Sequence, residues 1–178
     1  ESWGDYDKAI VNLKKCLESD PENELAMYEL AFCFEYAGRY SDSIAYYRSF
    51  IDLHPYNHSA WYNLGNVLKD LHRLAEAVDT YRKALTLNPV HADTHNNLGV
   101  ALKEQNAIRE AIAAYREAIR LKPAHFEAWN NLGLALMETG ASDEAIAAFR
   151  QALTIVPDSS KALYNLGIAA MWKAPAAR

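Results

Sequence analysis

Apolar residues recur along most of the chain at intervals of three and four positions. Such spacing places the apolar side chains on one face of an α-helix. The stretches come in pairs of about 13 residues each, separated by a short polar break. The pattern predicts a series of helical hairpins, about ten helices in total, and an all-α fold.

The hairpins repeat with a fixed period. Five prolines are spaced 34 residues apart, and a Leu-Gly pair recurs with the same step. A proline ends each copy because it cannot donate to a helix ladder and disfavours a helical residue before it. Self-similarity at such a period is the signature of a stacked repeat array. The recurring positions are Pro21, Pro55, Pro89, Pro123 and Pro157, with Leu64-Gly65, Leu98-Gly99, Leu132-Gly133 and Leu166-Gly167; the first copy has Leu30-Ala31.

Three further columns predict how the helices pack. A small residue in the second helix is followed four positions later by an aromatic residue in most copies, and three later by a mostly small one. Small residues let two helix axes approach closely, and a buried aromatic ring supplies contact area between hairpins. We therefore predict that Tyr81 and Tyr115 are buried, with Ala84 and Ala118 at close crossings. The columns are Ala9, Ser43, Ala77, Ala111, Ala145; Leu13, Tyr47, Tyr81, Tyr115, Phe149; and Cys16, Phe50, Ala84, Ala118, Ala152.

The break inside each hairpin also keeps register. A helix often ends with a residue in the left-handed region, where glycine is tolerated best and asparagine and histidine are enriched. We expect His72 to serve the backbone there rather than a chemical site. The column is Gly4, Gly38, His72, Asn106 and Gly140.

In combination these columns resemble the tetratricopeptide repeat family over nearly the whole chain. The resemblance implies an α-solenoid, a right-handed superhelix of stacked antiparallel helix pairs whose first helices line a concave groove. Stacked copies bury the apolar faces that one hairpin would expose. We expect residues 1–178 to form a single array that starts and stops within a repeat, as a piece of a longer one would. Full repeats are expected at 24–57, 58–91, 92–125 and 126–159, partial ones at 5–19 and 160–173, and a frayed tail at 174–178.

The groove-facing columns contain an unusual run of amides: Asn63, Asn97, Asn131 and Asn165. Asparagine is a poor mid-helix residue, but its side chain both donates and accepts hydrogen bonds. A ladder of amides suits the backbone of an extended peptide, and it resembles the asparagine ladder in the superhelix of O-linked N-acetylglucosamine transferase. The alternative is that each amide bonds a neighbouring helix and serves stacking alone.

Other groove positions join the ladder as candidate peptide-binding residues. The inner face is mildly acidic and carries aromatic residues, which favours an extended protein segment that is neutral to basic. The carboxylate clamp of other tetratricopeptide repeats is disfavoured, because Tyr28 and Tyr62 stand where its first lysine would be. The additional candidates are Asn66, Asn96, Asn130, Tyr28, Phe32 and Tyr62.

Composition narrows the function classes. The net charge of −5 carries no basic stripe, which argues against nucleic-acid binding. No apolar run approaches the roughly 20 residues that span a bilayer, so no membrane partner is expected. Phosphate loops and nucleophile motifs are absent, so we predict no enzyme, catalytic residue or cofactor. The pairs His91/His95 and His54/His58 fit loop or packing positions better than a metal site.

The two cysteines, Cys16 and Cys33, lie among apolar residues at helical spacing. We predict two buried free thiols. Free thiols fit a reducing compartment, of which the cytoplasm is the common case.

Two functions remain open from the sequence. One is a module that binds an extended peptide, alone or as part of a larger enzyme or assembly. The other is a structural scaffold, in which end-to-end self-association covers apolar residues of the last helix such as Leu163, Ile168, Met171 and Trp172. Solvent-facing amides would favour binding, and amide bonds between helices would favour the scaffold.

Overall fold

The computed structural model describes residues 4–173. Every element of regular secondary structure within that range is an α-helix. This confirms the prediction of ten helices in an all-α fold of stacked hairpins. The chain divides into two compact units, Glu1–Pro89 and Val90–Arg178. Unit 1 contains α1 (Gly4–Ser19), α2 (Glu24–Tyr36), α3 (Tyr40–Leu53), α4 (His58–Asp70) and α5 (Leu74–Leu87). Unit 2 contains α6 (Ala92–Glu104), α7 (Ile108–Leu121), α8 (Phe126–Glu138), α9 (Ser142–Ile155) and α10 (Ser160–Lys173).

The first helix of each hairpin begins at a side-chain cap two residues after the repeat proline. Asn57 Oδ1 accepts a hydrogen bond from the Ala60 amide, 3.1 Å away, and His91 Nδ1 accepts one from the Thr94 amide. Such a cap satisfies one of the backbone donors that a helix leaves open at its start. The capping column is Asn23, Asn57, His91, His125 and Ser159.

The turn inside the hairpin adopts the left-handed conformation that its residues predicted. His72 has a φ of 55° and Asn106 a φ of 64°, and the glycines at 38 and 140 are also at positive φ. The expectation that His72 serves the backbone is therefore supported. Gly4, the fifth member of the column, is the first residue of α1.

The aromatic column forms the centre of each hairpin. Tyr81 and Tyr115 are buried, as predicted, and so are Ala84 and Ala118. The aromatic ring also explains why the facing residue of the first helix is a glycine. A Cβ on Gly99 would lie 2.6 Å from the Tyr115 ring, a separation that the packing cannot accommodate without moving the ring. The same contact joins Gly65 to Tyr81 and Gly133 to Phe149.

One cysteine prediction is wrong. Cys33 is buried, but Cys16 is exposed, and both thiols are free. Residues equivalent to Cys16, such as Phe50 in α3, lie between helices on two sides. Within the described residues of unit 1, α1 packs against α2 alone, so the face carrying Cys16 is uncovered.

The last described helix has an apolar outer face. Leu163, Met171 and Trp172 are all more than half exposed, which agrees with the exposure expected there. Beyond it, the tail expected at 174–178 lies outside the described residues.

Candidate functional site

The asparagine column is engaged in hydrogen bonds between successive repeats. Asn63 Nδ2 donates to the Tyr28 hydroxyl at 2.7 Å, from α4 to α2. In unit 2, Asn131 Nδ2 donates to Asn96 Oδ1 at 3.1 Å, and Asn165 Nδ2 donates to Asn130 Oδ1 at 2.9 Å. Each bond joins residues 35 positions apart, one repeat plus one residue. The ladder therefore holds neighbouring first helices together.

In unit 2, the acceptors of these bonds lie deeper than the donors. Asn96 and Asn130 are buried, whereas Asn63 and Asn131 are only half-buried. Asn96 in turn donates a hydrogen bond from its Nδ2 to Asn97 Oδ1, at 3.1 Å. The Nδ2 of Asn130 is buried and has no hydrogen-bond partner among the described residues. Because Asn96 and Asn130 are buried, their main role is to hold neighbouring helices together. Asn63 and Asn131 lie nearer the surface.

Unit 1 replaces the deep asparagine by a tyrosine, and its ring is packed among others. The Tyr28 ring lies 5.1 Å from Phe50 and 5.9 Å from Tyr47, both in edge-on arrangements that aromatic pairs prefer. Burial, and then the nearby charges of Glu29 and Glu35, raise the pKa of the Tyr28 hydroxyl. It therefore stays protonated at neutral pH, and its oxygen accepts from Asn63.

A second hydroxyl, that of Tyr47 in α3, contacts a side chain of α2. Tyr47, in the buried aromatic column, donates to Glu35 Oε2 at 3.2 Å. Burial raises the pKa of the Glu35 carboxyl; the hydrogen bond from Tyr47 and the charge of Lys69 oppose this shift, and Asp70 adds to it. In the next repeat, Tyr81 donates to Asn66 Oδ1 at 2.8 Å. The hydroxyls of the aromatic column thus fix polar side chains of the first helices.

Most other charges on the first helices are paired. Lys69 pairs with Asp70 in unit 1, and Lys103 Nζ lies 2.6 Å from Glu138 Oε1 in unit 2. In unit 1, Glu29 and Glu35 leave an acidic surplus beside the Lys69–Asp70 pair.

The remaining candidates lie in three environments. Phe32 is half-buried, with its ring 4.4 Å from Tyr36, and Tyr62 is half-buried, with its ring 6.3 Å from Tyr81. Asn66 is tied to Tyr81. The structure thus brings Tyr28 and Asn63 into one hydrogen bond, and Asn96 and Asn131 into another.

Sequence reasoning missed the reason for the histidines. His91 and His125 cap α6 and α8, and the clue was their position two residues after a proline, where Asn23 and Asn57 stand in earlier copies. It also missed that Tyr47 holds Glu35, although the contrast between tyrosine and Phe149 in one column pointed to a role for the hydroxyl. Between residues 4 and 173 no three His, Cys, Asp or Glu side chains cluster as a metal site would require.

None of the helices within residues 4–173 is long and apolar enough to cross a membrane.

Comparison with known proteins decides the family. One tetratricopeptide repeat model matches residues 4–58 and 96–160, and another of the same description matches residues 56–124. The chain belongs to the tetratricopeptide repeat family. Its members serve generally as protein-interaction scaffolds rather than as enzymes, so a protein or peptide partner is indicated.

Solved structures show the same fold. A crystal structure of MamA is 32% identical with a TM-score of 0.83, and covers 89% of this chain and 92% of that one. A second crystal structure of MamA is 28% identical with a TM-score of 0.79, covering 98% and 90%. YrrB, described as a tetratricopeptide repeat protein with an unusual peptide-binding site, is 25% identical with a TM-score of 0.76, covering 90% and 83%. None of the curated proteins matches the chain. The similarity to the transferase superhelix is not singled out by these matches and stays a prediction.

Proposed function

We propose that this chain is a protein-interaction module whose first helices bind an extended peptide segment through their asparagines and aromatic rings. The observation that carries the proposal is the row of amides, of which Asn63, Asn97 and Asn131 are half-buried and Asn165 is buried. Asn63 is held by hydrogen bonds to Tyr28 and Tyr47 of the preceding repeat, and Asn131 by one to Asn96. An amide anchored in this way has already lost the rotamer freedom that binding would otherwise cost.

Anchoring leaves the Asn131 amide with unused capacity. The side chain of asparagine has two N–H donors and a carbonyl that accepts. One donor of Asn131 goes to Asn96, which leaves the second donor and the oxygen as groups that suit a peptide carbonyl and amide. Backbone groups recur along any extended peptide, so such a row grips a segment without reading its side chains.

Aromatic residues supply the apolar contacts of the proposal. Tyr28, Phe32 and Tyr62 are half-buried on α2 and α4, and each offers a rigid ring at small cost in conformational entropy. On α10, Tyr164 and Trp172 are 69% and 68% exposed. Apolar side chains of the bound segment would pack on these rings.

A neighbour of similar fold adds support. YrrB has a peptide-binding site and shares 25% of its residues with this chain. Peptide binding is therefore a use to which this arrangement of helices has been put.

A structural scaffold is the second candidate, and one observation favours it. The hydrogen bonds of Asn63, Asn131 and Asn165 all run between helices, as expected if the column serves stacking. Each is worth about 0.5–1.5 kcal/mol to stability. Stacking and binding are compatible at one residue, but if stacking explains the column entirely, the groove needs no peptide.

The test compares two variants in binding a peptide selected on the immobilised wild-type chain from a random library. The double variant Asn97→Ala, Asn131→Ala removes two groove amides. Losing about 0.5–1.5 kcal/mol per hydrogen bond should weaken binding by roughly 5- to 150-fold. The matched control is Asn96→Ala, which breaks the same inter-repeat bond but keeps the Asn131 amide.

Isothermal titration measures the affinity, and chemical denaturation measures the stability of each variant. The proposal predicts a loss of affinity in the double variant that exceeds the loss in Asn96→Ala. Equal affinities in folded variants, with a loss of stability in both, would leave the scaffold as the better account. Failure of the library to give any specific peptide would point the same way.

A further inference from the structure

Three aromatic rings form a partly exposed cluster on unit 1, which we call the Tyr36 cluster. It consists of Tyr6 from α1 with Phe32 and Tyr36 from α2. The rings of Tyr6 and Tyr36 stack with centroids 5.6 Å apart, and Phe32 lies 4.4 Å from Tyr36. Tyr36 remains 51% exposed. The rings thus pack on one another, and Tyr36 keeps exposed surface beside them.

A carboxylate stands beside this cluster on the same helix. Glu35 is three residues after Phe32, so the two share a face of α2. One oxygen of Glu35 is fixed by the Tyr47 hydroxyl at 3.2 Å. Within residues 4–173, Glu35 forms no ion pair, since Lys69 pairs with Asp70. It is a partly buried carboxylate that senses the charge of Lys69, while that lysine is paired with Asp70.

Another ring of α2 shows what the cluster lacks. The Phe34 ring has the guanidinium of Arg39 at 4.5 Å and the ammonium of Lys14 at 5.4 Å from its centroid. In the described part of the chain, no cation lies over the rings of Phe32 or Tyr36. Cations are attracted to the faces of aromatic rings, and a carboxylate nearby strengthens the attraction. The Tyr36 cluster and Glu35 supply both parts of a cation site and leave it unfilled.

We propose that the Tyr36 cluster and Glu35 bind an arginine side chain of the partner segment. The guanidinium is planar, so it stacks on an aromatic ring while its N–H groups donate to a carboxylate at the edge. Glu35 accepts the donors, and Phe32 and Tyr36 provide the stacking surface. The acidic surplus around α2, to which Glu29 also contributes, favours a positively charged segment over a neutral one. The inference rests on the proposed peptide-binding function and names the side chain that would set its specificity.

The first experiment uses a small probe that does not depend on the asparagines. N-acetyl-arginine methylamide is titrated into the isotope-labelled chain, and binding is followed by NMR chemical-shift changes. N-acetyl-citrulline methylamide is the neutral control of nearly the same shape. We expect the arginine probe to move the signals of Phe32, Glu35 and Tyr36, and the citrulline probe to bind about five- to tenfold more weakly.

Three variants sharpen the assignment. Glu35→Gln keeps an acceptor for Tyr47 and removes the charge, and Tyr36→Ala removes an exposed ring; each should weaken the arginine probe by about three- to tenfold. The matched control is Glu138→Gln, which removes a first-helix carboxylate that already has Lys103 as its cation. It should leave the probe's affinity unchanged. Equal binding of arginine and citrulline probes, or shifts that map elsewhere, would overturn the proposal.

A second experiment separates this inference from the function on which it rests. The random peptide selection is repeated on wild type and on Glu35→Gln. If peptides are selected by both but arginine is enriched only by wild type, both ideas stand. Selection of peptides with no enrichment of arginine by wild type contradicts the arginine site and leaves peptide binding intact. If the arginine probe binds but no peptide is selected, the proposed peptide binding is contradicted and the proposed arginine site is not.

Discussion

The two units have equivalent cores but different first-helix surfaces. In unit 1, Asn63 donates to a tyrosine hydroxyl that is packed against Phe50, and Glu35 lies nearby with Tyr36. In unit 2, the amides pair with one another, Asn131 with Asn96 and Asn165 with Asn130. In this unit, the positions equivalent to Phe32 are the aliphatic residues Val100, Leu134 and Ile168.

The difference suggests two separate tasks, one for the first-helix surface of each unit. An amide paired with an amide is neutral and uniform from one repeat to the next, which suits contact with a peptide backbone. Aromatic rings beside an unpaired carboxylate distinguish one side chain from another. Under the proposed function, the amides of unit 2 would contact a peptide backbone, and the rings and carboxylate of unit 1 would select a side chain.

The equivalence of the cores gives the prediction with the largest effect. Tyr47 and Tyr115 are both fully buried. Tyr47→Ala and Tyr115→Ala should each lower the free energy of unfolding by about 3–5 kcal/mol, the cost of removing a large buried aromatic side chain. Chemical denaturation measures both. A loss below about 1 kcal/mol in only one of them would show that the cores are not equivalent.

The glycines give a pair of opposite effects within unit 2. A Cβ on Gly133 would lie 2.5 Å from the buried Phe149 ring, whereas one on Gly167 meets nothing within 4 Å. Gly133→Ala should destabilise the chain by about 1–3 kcal/mol through overpacking. Gly167→Ala should stabilise it by up to about 1 kcal/mol, because alanine is the better helix former. If both variants shift the denaturation midpoint in the same direction, the ring contact does not account for glycine at this column.

The ladder itself gives the next prediction. Asn63→Ala and Asn131→Ala each remove one inter-repeat hydrogen bond, and each should cost about 0.5–1.5 kcal/mol of stability. Tyr28→Phe removes the acceptor in unit 1 and keeps the ring, so it should cost about as much as Asn63→Ala. A double-mutant cycle between positions 28 and 63 measures their coupling directly. A coupling of zero would mean that the hydroxyl and the amide do not stabilise the stack together.

The sequence was sufficient for features that repetition imposes on every copy. The aromatic column, the Leu-Gly glycines and the left-handed turn at His72 follow from the 34-residue period, because each copy meets the same neighbours. The environment of Cys16 could not be predicted in this way, since among the described helices its own helix packs on one side only.

The candidate site was predictable in position and less so in chemistry. The column of Asn63 and Asn131 was identified from spacing, but its bonds join side chains 35 residues apart, one position out of step with the repeat. A period of 34 aligns equivalent positions and gives no sign of which rotamer reaches the repeat before it. The bond from Tyr47 to Glu35 was hidden for the same reason, since it joins a core column to a surface column.

The smallest predicted effect is a pH dependence that differs between the units. Burial raises the pKa of Glu35 in unit 1, so folding favours its protonated form, and its contribution to stability is lost as the pH rises through that pKa. Glu35→Gln should therefore match wild type at low pH and be the more stable protein at neutral pH. In unit 2, the hydrogen bond from Arg120 lowers the pKa of Glu117, so its contribution is present at neutral pH and is lost as the pH falls through the lowered pKa. Glu117→Gln should be slightly less stable than wild type at neutral pH and converge with it in acid. Denaturation midpoints between pH 3 and pH 7 measure both differences, and differences of the same sign in the two variants would contradict the assignment of Glu35 as a carboxylate without an ion pair.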